Sequence, residues 1–381
     1  MHVFPDTSSQ VSDQYLRRAC ELAARGRGTT SPNPMVGCVI VRDGIVVGEG
    51  FHERAGGPHA EVVALTSAGE AARGAHVYVT LEPCNHFGKT PPCAAALIRA
   101  GVQRVVIGMR DPDLSVSGGG AEAFAHAGVQ VEFASDETPF RCLNEAWLKR
   151  LSTGLPLVRV KLAVTLDARL ALAARTRSTI TGSAAAEVTR QLRAGSRAVA
   201  VGASTAMIDD PLLTVRGADG LQSASQPMHV IISRTSVPPT TLRLFCDGGE
   251  AASLVVSDRA EGTALKTLAA AGILAVTYPY AEGILGALRA LAGLGIDDVL
   301  VEAGPGLLSA LWKAHAIDEL YVLQAGGMGG NAAPPLFLGP GDAEANVLSP
   351  PMHAVDARVV GDGTLTVWHY DNDEPVCERS A

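Results

Sequence analysis

At 381 residues the chain is longer than one hydrophobic core ordinarily serves, so two domains of common size are expected. Hydrophobic residues make up 47% of it and aromatic residues 4%, a balance suited to layered α/β packing with short connections. The formal net charge of -8 excludes a basic surface broad enough to neutralise a nucleic-acid backbone and favours a small-molecule substrate.

The first residues, Met1 to Gln14, are polar and include Pro5, Asp6 and Asp13, so no signal peptide is expected there. No apolar run approaches membrane-spanning length. The 7 cysteines, an odd number scattered from Cys20 to Cys377, argue against a disulfide framework and for a reducing cytoplasm.

A helix is expected over Asp13–Arg25, with Tyr15, Leu16, Ala19, Leu22 and Ala23 on one face, followed by a loop from Gly26 to Pro34. Val36–Val41 and Ile45–Gly50, joined by Asp43-Gly44, read as a hairpin. A helix at His59–Gly69, a strand at Ala75–Leu81, a helix at Cys93–Ala100 and a strand at Arg104–Met109 then give a β-α-β-α order. Periodicity breaks at Ser152-Thr153-Gly154-Leu155-Pro156, which places the boundary between domains 1–151 and 152–381. Beyond it, Leu157–Val164, Ala198–Gly202, His229–Ser233, Leu254–Ser257, Val299–Glu302 and Glu319–Gln324 read as strands, with helices between several of them.

The chemistry of the first half is concentrated in His59-Ala60-Glu61, Glu82-Pro83-Cys84 and Cys93, each at or just before an expected helix start. Helix N-termini carry partial positive charge and lower thiol pKa values, so both cysteines can bind a cation as thiolates. One imidazole and two thiolates make a three-ligand zinc site that leaves a fourth position for water, as catalytic zinc requires. Glu61 would sit beside that water as its proton carrier, the pattern of zinc nucleobase deaminases. Taken singly, each reads more commonly as something else, His59 as a helix-surface histidine and the cysteines as small core residues; it is their combination, with Pro83 before Cys84 and Pro92 before Cys93, that points to a metal site. A structural zinc in a binding scaffold is the competing reading, disfavoured because such sites usually close with four protein ligands.

With Ser31-Pro32-Asn33-Pro34, Val36-Gly37, Gly57-Pro58-His59-Ala60-Glu61, the run Thr80 to Cys93 and Asp111-Pro112, the chain resembles the bifunctional pyrimidine deaminase/reductase family of riboflavin biosynthesis. The wide cysteine spacing, with Gly88-Lys89-Thr90-Pro91-Pro92 between, is that family's variant and separates the chain from cytidine and tRNA-adenosine deaminases. The resemblance implies zinc on His59, Cys84 and Cys93, Glu61 as proton carrier, and a diaminopyrimidinone substrate bearing a phosphorylated ribosylamino group. Asn33, His52 and Lys89 are then candidates for ring and phosphate contacts. His86 and His76 are read as non-ligands. Gly118-Gly119-Gly120 reads either as a close backbone approach to substrate or as a flexible turn.

The second half has no G-x-G-x-x-G after a strand, so an ordinary dinucleotide fold is not indicated. Val199 to Thr205 and Val301 to Leu307 each place glycine between a strand and a helix, where free N–H groups can hold phosphate. The resemblance extends over Lys161, Thr165-Leu166-Asp167, Thr205, Asp209-Asp210-Pro211, Leu213 to Arg216 and Val301 to Pro305. It implies a cytidine-deaminase-like α/β/α first domain and a dihydrofolate-reductase-like α/β second domain that uses NADPH. Ala163, Thr205, Asp209, Gly304, Pro305, Gly306 and Leu307 would face the cofactor, and Lys161, Arg193, Leu213, Arg216 and Glu302 the substrate. It also implies a homo-oligomer.

Departures from the family pattern stand at Ala168 (for glycine), Arg177, Thr179 (for tryptophan), Ser233-Arg234 (where aspartate is usual) and Gly326-Gly327 (for proline-lysine). They keep open the reading of a deaminase whose second domain is degenerate or repurposed.

Overall fold

The computed structural model describes residues 7–85, 92–112, 119–172, 179–217, 219–223, 225–246, 253–337 and 352–370, with only the backbone path for 7–12. Lys89, His86, Gly118 and Arg177 therefore lie outside the described residues. The chain forms two compact units that divide between Leu151 and Ser152.

The first unit is built on a five-stranded sheet of β1 (Gly37–Arg42), β2 (Ile45–Phe51), β3 (His76–Leu81), β4 (Arg104–Met109) and β5 (Gln130–Phe133), in the order β2-β1-β3-β4-β5. The β1–β2 and β1–β3 pairs are antiparallel, whereas β3–β4 and β4–β5 are parallel. Successive strand residues face opposite sides, and both sides are covered. Cys38, Ile40, Val105 and Ile107 pack in a cluster with helix Ala60–Ala68, helix Cys93–Ala100 and helix Gly120–His126. Val39, Val41 and Val106 pack on the other side with helix Thr7–Ala24 and with Phe140 and Trp147 of the helices Thr138–Leu143 and Glu145–Thr153. The first helix starts six residues earlier than its apolar periodicity, because no glycine or proline interrupts the polar stretch after Pro5.

The second unit carries β6 (Leu157–Val164), β7 (Ala198–Gly202), β8 (Met228–Ser233), β9 (Ser253–Ser257), β10 (Leu274–Tyr278), β11 (Asp298–Glu302), β12 (Glu319–Gln324), β13 (Met352–Val360) and β14 (Gly363–Tyr370). The sheet order is β10-β9-β8-β7-β11-β6-β12-β14-β13, parallel from β10 to β12 and antiparallel thereafter. The chain runs outward from β6 to β10 and then returns, inserting β11 between β7 and β6. That reversal opens the crevice at the strand carboxyl ends where α/β sheets bind ligands.

Alternation again gives two covered faces. Ala198, Ala200, Val230, Val299 and Val301 pack with helices Gly283–Gly293 and Pro305–Lys313. Val199, Val201, Ile231, Leu254 and Leu300 pack with helices Ala203–Asp209 and Gly262–Ala270. No helix among the described residues is long and apolar enough to cross a membrane. Cys20, Cys38, Cys84, Cys93 and Cys246 are free thiols, while Cys142 is disulfide-bonded, a bond the cysteine spacing does not indicate.

Candidate functional sites

In the first unit three chain turns bring rare side chains together. His59 is the N-cap of helix Ala60–Ala68, Cys93 is the first residue of helix Cys93–Ala100 behind the Pro92 N-cap, and Cys84 lies in the loop released by β3. His59 Nδ1 lies 3.2 Å from Cys93 Sγ and 3.6 Å from Cys84 Sγ. The three ligand atoms all fall within 4.8 Å of one another. A tetrahedral zinc with ligand bonds of about 2.0–2.3 Å sets its ligands roughly 3.5 Å apart, so the donor set fits that ion in type and spacing.

The electrostatics favour thiolate. Cys84 is pulled down to about 4, first by its hydrogen bond from the Cys93 thiol and then by His59 and the Cys93 backbone N–H, which lies 3.4 Å away. Cys93 is pushed up by the same shared proton and by burial, so Cys84 ionises first. His59 is raised, chiefly by its hydrogen bond with Cys84. Glu61, the second residue of helix Ala60–Ala68, is 3% exposed and raised above the ordinary carboxyl range by burial first, with the Cys84 charge adding to it. A buried carboxyl whose pKa rises toward neutrality is suited to take and return a proton.

Asn33 and His52 form a second layer. Asn33 Nδ2 lies 3.1 Å from His52 Nε2, and His52 Nδ1 lies 2.9 Å from the Pro58 carbonyl oxygen. A carbonyl only accepts, so Nδ1 carries the proton and Nε2 accepts from the Asn33 amide. Burial and the nearby His59 lower the His52 pKa and keep the ring neutral.

Two further residues hold these elements in place: Asn144, which sequence reasoning missed, and Glu82, which it quoted beside Cys84 without a role of its own. Asn144, 2% exposed, accepts from Met35 N at 2.7 Å and donates to Met35 O at 3.0 Å, fixing the strand entry beyond Asn33. Glu82 Oε1 accepts from Ala121 N at 3.0 Å, tying the metal loop to the helix that starts at Gly120. A Cβ on Gly120 would meet the Pro83 carbonyl oxygen at 2.1 Å, so the described end of the glycine run makes its close approach to the metal loop. The one sequence signal for Asn144 is a lone amide in an apolar helical stretch.

In the second unit the returning β11 sets Glu302 beside Lys161 of β6 in parallel register. Arg193, in the last turn of helix Ser183–Ala194, donates from Nε to Glu302 Oε1 at 2.5 Å and from Nη1 to the Thr214 carbonyl at 3.2 Å. The helix end is itself fixed by buried Arg159, which pairs with Asp298 and donates to the Gly195 carbonyl at 2.9 Å. Burial works to raise Glu302, but Arg193 and Lys161 overcome it and hold the carboxyl down. Burial lowers Lys161 against the opposing pull of Glu302. Lys161, Arg193, Glu302 and the Leu213–Thr214 backbone thus form one cluster. Arg216 bonds instead to the Gly220 carbonyl at 3.0 Å, within its own turn.

Two strand-to-helix turns adjoin this cluster. Gly202 precedes helix Ala203–Asp209, and Gly304 precedes helix Pro305–Lys313, on neighbouring strands β7 and β11. A Cβ on Gly304 would meet Thr205 Oγ1 at 2.6 Å, and one on Gly202 would meet Leu307 Cβ at 3.5 Å. The two turns are in contact, and their free N–H groups face the same strand ends. Asp209 lies one helical turn after Thr205, and Ala163 is two residues beyond Lys161 on the same sheet face.

The departures have visible structural consequences. Ala168 adopts φ 55°, the left-handed region where glycine is at ease. Neighbouring Asp167 accepts from the Thr165 hydroxyl at 2.5 Å and from Gly329 N and Gly330 N, each at 2.8 Å, and is held down to about 2 by those contacts. The turn after β6 is thereby fastened to the loop after β12. Thr179 is exposed.

Residues 156–366 match the family model of the RibD C-terminal domain, and residues 9–109 match the cytidine and deoxycytidylate deaminase zinc-binding region. The chain is 41% identical over 343 residues to the riboflavin biosynthesis protein RibD of Escherichia coli, covering 86% of this chain and 91% of that one. It is similar to the solved RibD of Acinetobacter baumannii, with TM-score 0.85 and 37% identity over 96% of this chain and all of that one (100%). A Thermotoga maritima structure, titled a diaminohydroxyphosphoribosylaminopyrimidine deaminase/5-amino-6-(5-phosphoribosylamino)uracil reductase, gives TM-score 0.80 and 31% identity, covering 96% of this chain and 100% of that one.

Proposed function

The chain belongs to the RibD family of riboflavin biosynthesis proteins, and from that membership we propose how its own residues divide two successive reactions. The first is hydrolytic deamination of the diaminopyrimidinone bearing a ribosylamino 5'-phosphate. The second is NADPH-dependent reduction of the ribosyl side chain to ribityl.

His59, Cys84 and Cys93 would hold zinc, which supplies a Lewis acid and an acidified water when bound. The Glu61 carboxylate takes the proton that water loses and returns it to the leaving amino group, so that water enters and ammonia departs. Asn33, oriented by neutral His52, meets the polar edge of the ring. Lys89 would meet the phosphate.

In the second unit Lys161, Arg193 and Glu302 orient the deaminated ring, with Leu213 and Arg216 along its path. Ala163, Thr205, Asp209 and the Gly304-Pro305-Gly306-Leu307 turn receive NADPH, which supplies the hydride for the ribose-derived imine carbon. The protein's part is position and charge. A homo-oligomeric, cytoplasmic enzyme completes the reading.

The observation that carries it is the convergence of three ligand atoms within 4.8 Å beside a buried carboxyl raised above its ordinary range. Its test is to give purified enzyme the diaminopyrimidinone nucleotide and follow ammonia release and NADPH oxidation separately. Both should appear, ammonia first. Brisk ammonia release with no dinucleotide oxidation, even when the deaminated aminouracil nucleotide is supplied, would leave the second unit without its assigned activity.

A further inference from the structure

Asn33 lies in a segment that is poorly equipped to hold itself. With Pro32, Pro34 and Met35 it belongs to the connection between helix Thr7–Ala24 and β1, outside any strand. Proline has no N–H, so Pro32 and Pro34 bring no backbone donor with which to pin the segment. Asn33 N donates back to the Thr30 carbonyl at 2.8 Å. The earlier part of the connection is tied to the loop after β2, by the Thr29 hydroxyl on the Glu53 carbonyl at 2.6 Å and by Ala55 N on the Thr29 carbonyl at 3.1 Å.

The later part is held from 109 and 118 residues further along the chain. Asn144, between helices Thr138–Leu143 and Glu145–Thr153, accepts from Met35 N at 2.7 Å and donates to Met35 O at 3.0 Å. Arg150 of the second of these helices donates from Nη2 to the Pro32 carbonyl at 2.8 Å. The two contacts bracket Asn33. A side-chain amide offers a donor and an acceptor side by side, so Asn144 exchanges both bonds with Met35 as a facing strand residue would. At 2% exposure, it meets little competition from water for either bond.

The support is itself fixed. Phe140 and Trp147, on either side of Asn144, are buried in one cluster with Val39, Val106 and Met109 of the sheet. A Cβ on Gly108 of β4 would meet Phe140 Cδ1 at 2.5 Å, so the first helix of the pair lies directly on the strand. Asn144 and Arg150 both stand beyond residues 9–109, the stretch matched to the zinc-binding region. With Asn33 Nδ2 turned to His52 Nε2 at 3.1 Å, Asn33 Oδ1 is the atom left to accept from a ring donor. Its place is then set by the backbone on both sides of it.

We propose that Asn144 and Arg150 are positioning residues for deamination, holding Met35 and Pro32 so that Asn33 between them presents its amide to the pyrimidine. The proposal rests on the deaminase reading above, in which Asn33 meets the ring.

The test compares full-length parent, Asn33→Ala, Asn144→Asp, Arg150→Met and Arg150→Lys with the diaminopyrimidinone nucleotide. Asn144→Asp keeps the side-chain shape and the bond from Met35 N but brings no donor for Met35 O, and Arg150→Lys keeps a donor for Pro32 that Arg150→Met lacks. One lost hydrogen bond is worth about two- to tenfold, and a contact made equally in ground and transition states moves KM rather than kcat. KM should rise by about that factor in Asn144→Asp and Arg150→Met and return toward the parent in Arg150→Lys. The kcat, the zinc content and NADPH oxidation with the deaminated nucleotide should hold. Added to Asn33→Ala, Asn144→Asp should cost less than about twofold more, because nothing is left to position.

Parent KM in both Asn144→Asp and Arg150→Met overturns the proposal, as do effects that multiply in full with Asn33→Ala or that come with loss of zinc. Should Asn144→Asp fail to fold, the half-buried Arg150 pair decides by the same criteria. Asn33→Ala at parent kinetics removes Asn33 from the ring and overturns both readings, whereas an impaired Asn33→Ala beside unimpaired Asn144→Asp and Arg150→Met overturns the positioning alone. Hydrogen exchange needs no turnover. Faster exchange over residues 30–37 in Asn144→Asp and Arg150→Met, with β4 unchanged, supports the hold on the segment even where ammonia release is absent and the deaminase reading has failed. Exchange equal to the parent overturns it.

Discussion

The two units assemble their sites by different means. In the first, the proposed ligands and proton carrier come from the short span between His59 and Cys93, each set at a helix start or a strand end. In the second, Lys161, Arg193 and Glu302 come from distant parts of the chain and meet because β11 inserts beside β6. The first site depends on rare residue types at fixed positions, the second on sheet topology and on common residues placed by it. The first should therefore fail abruptly under single substitutions. The second should fail by degrees.

The largest expected effect is loss of the metal. Cys84→Ala or Cys93→Ala removes one of three protein ligands and leaves the other two unable to hold a tetrahedral zinc. Dialysed protein should lose zinc by elemental analysis and lose ammonia release with it, while NADPH oxidation with the deaminated nucleotide persists. Full zinc occupancy in either variant would strike that cysteine from the ligand set.

Next is Glu61→Gln, which keeps the shape of the buried side chain and removes its proton chemistry. Deamination should fall by about a hundred- to ten-thousandfold with zinc retained, the usual span for general acid–base work. The sign of the pH dependence follows from the raised carboxyl pKa. The required base form is lost as pH falls through that value, so the parent's acid limb should lie above the ordinary carboxyl value of 4.5. Ammonia release within a few-fold of the parent would move proton transfer to another group.

The same contrast explains what the sequence made legible. Histidine, glutamate and one cysteine at helix starts, with a second cysteine just past a strand end rather than at the expected helix start, announce themselves because few other reasons place those types together. The buried strands Leu157–Val164 and Glu319–Gln324 were equally plain as apolar runs. The hairpin of β13 and β14 was not, since much of β13 is exposed, with Val359 77% accessible, and its sequence lacks a buried run. Asn144 escaped because its partner, Met35, is backbone far away in the chain. The contact of Thr205 with Gly304 is a property of neighbouring strands and cannot be read from either turn alone.

In the second unit Glu302→Gln should lower kcat/KM for reduction by about ten- to a hundredfold, the scale of one charge-assisted hydrogen bond, and leave ammonia release unchanged. It should also move the pH profile. Glu302 opposes the downward pull of burial on Lys161, so without its charge the lysine loses its proton at lower pH and the alkaline limb of reduction shifts down. An alkaline limb that stays in place while kcat/KM falls would uncouple Lys161 from the reaction.

The smallest effect probes how gradual the second site is. Ala168 sits at φ 55° in the turn that Asp167 fastens to Gly329 and Gly330. An alanine in the left-handed region is strained by about 1–2 kcal/mol, whereas glycine there gives back about 0.4–1 kcal/mol through the freer unfolded chain. The strain is the larger, so Ala168→Gly should stabilise the second unit by up to about 1 kcal/mol. For a unit of this size that is a rise in Tm of roughly 2–4 °C. The Asp167 hydrogen bonds are made by side-chain oxygens with backbone N–H groups and the Thr165 hydroxyl, none of which the methyl group touches chemically. Reduction kinetics should therefore stay within about twofold while the melting temperature rises. A fall in Tm would mean that the methyl packs against the turn strongly enough to outweigh its strain. A large gain in reduction rate at unchanged Tm would mean that the alanine crowds the bound partners instead.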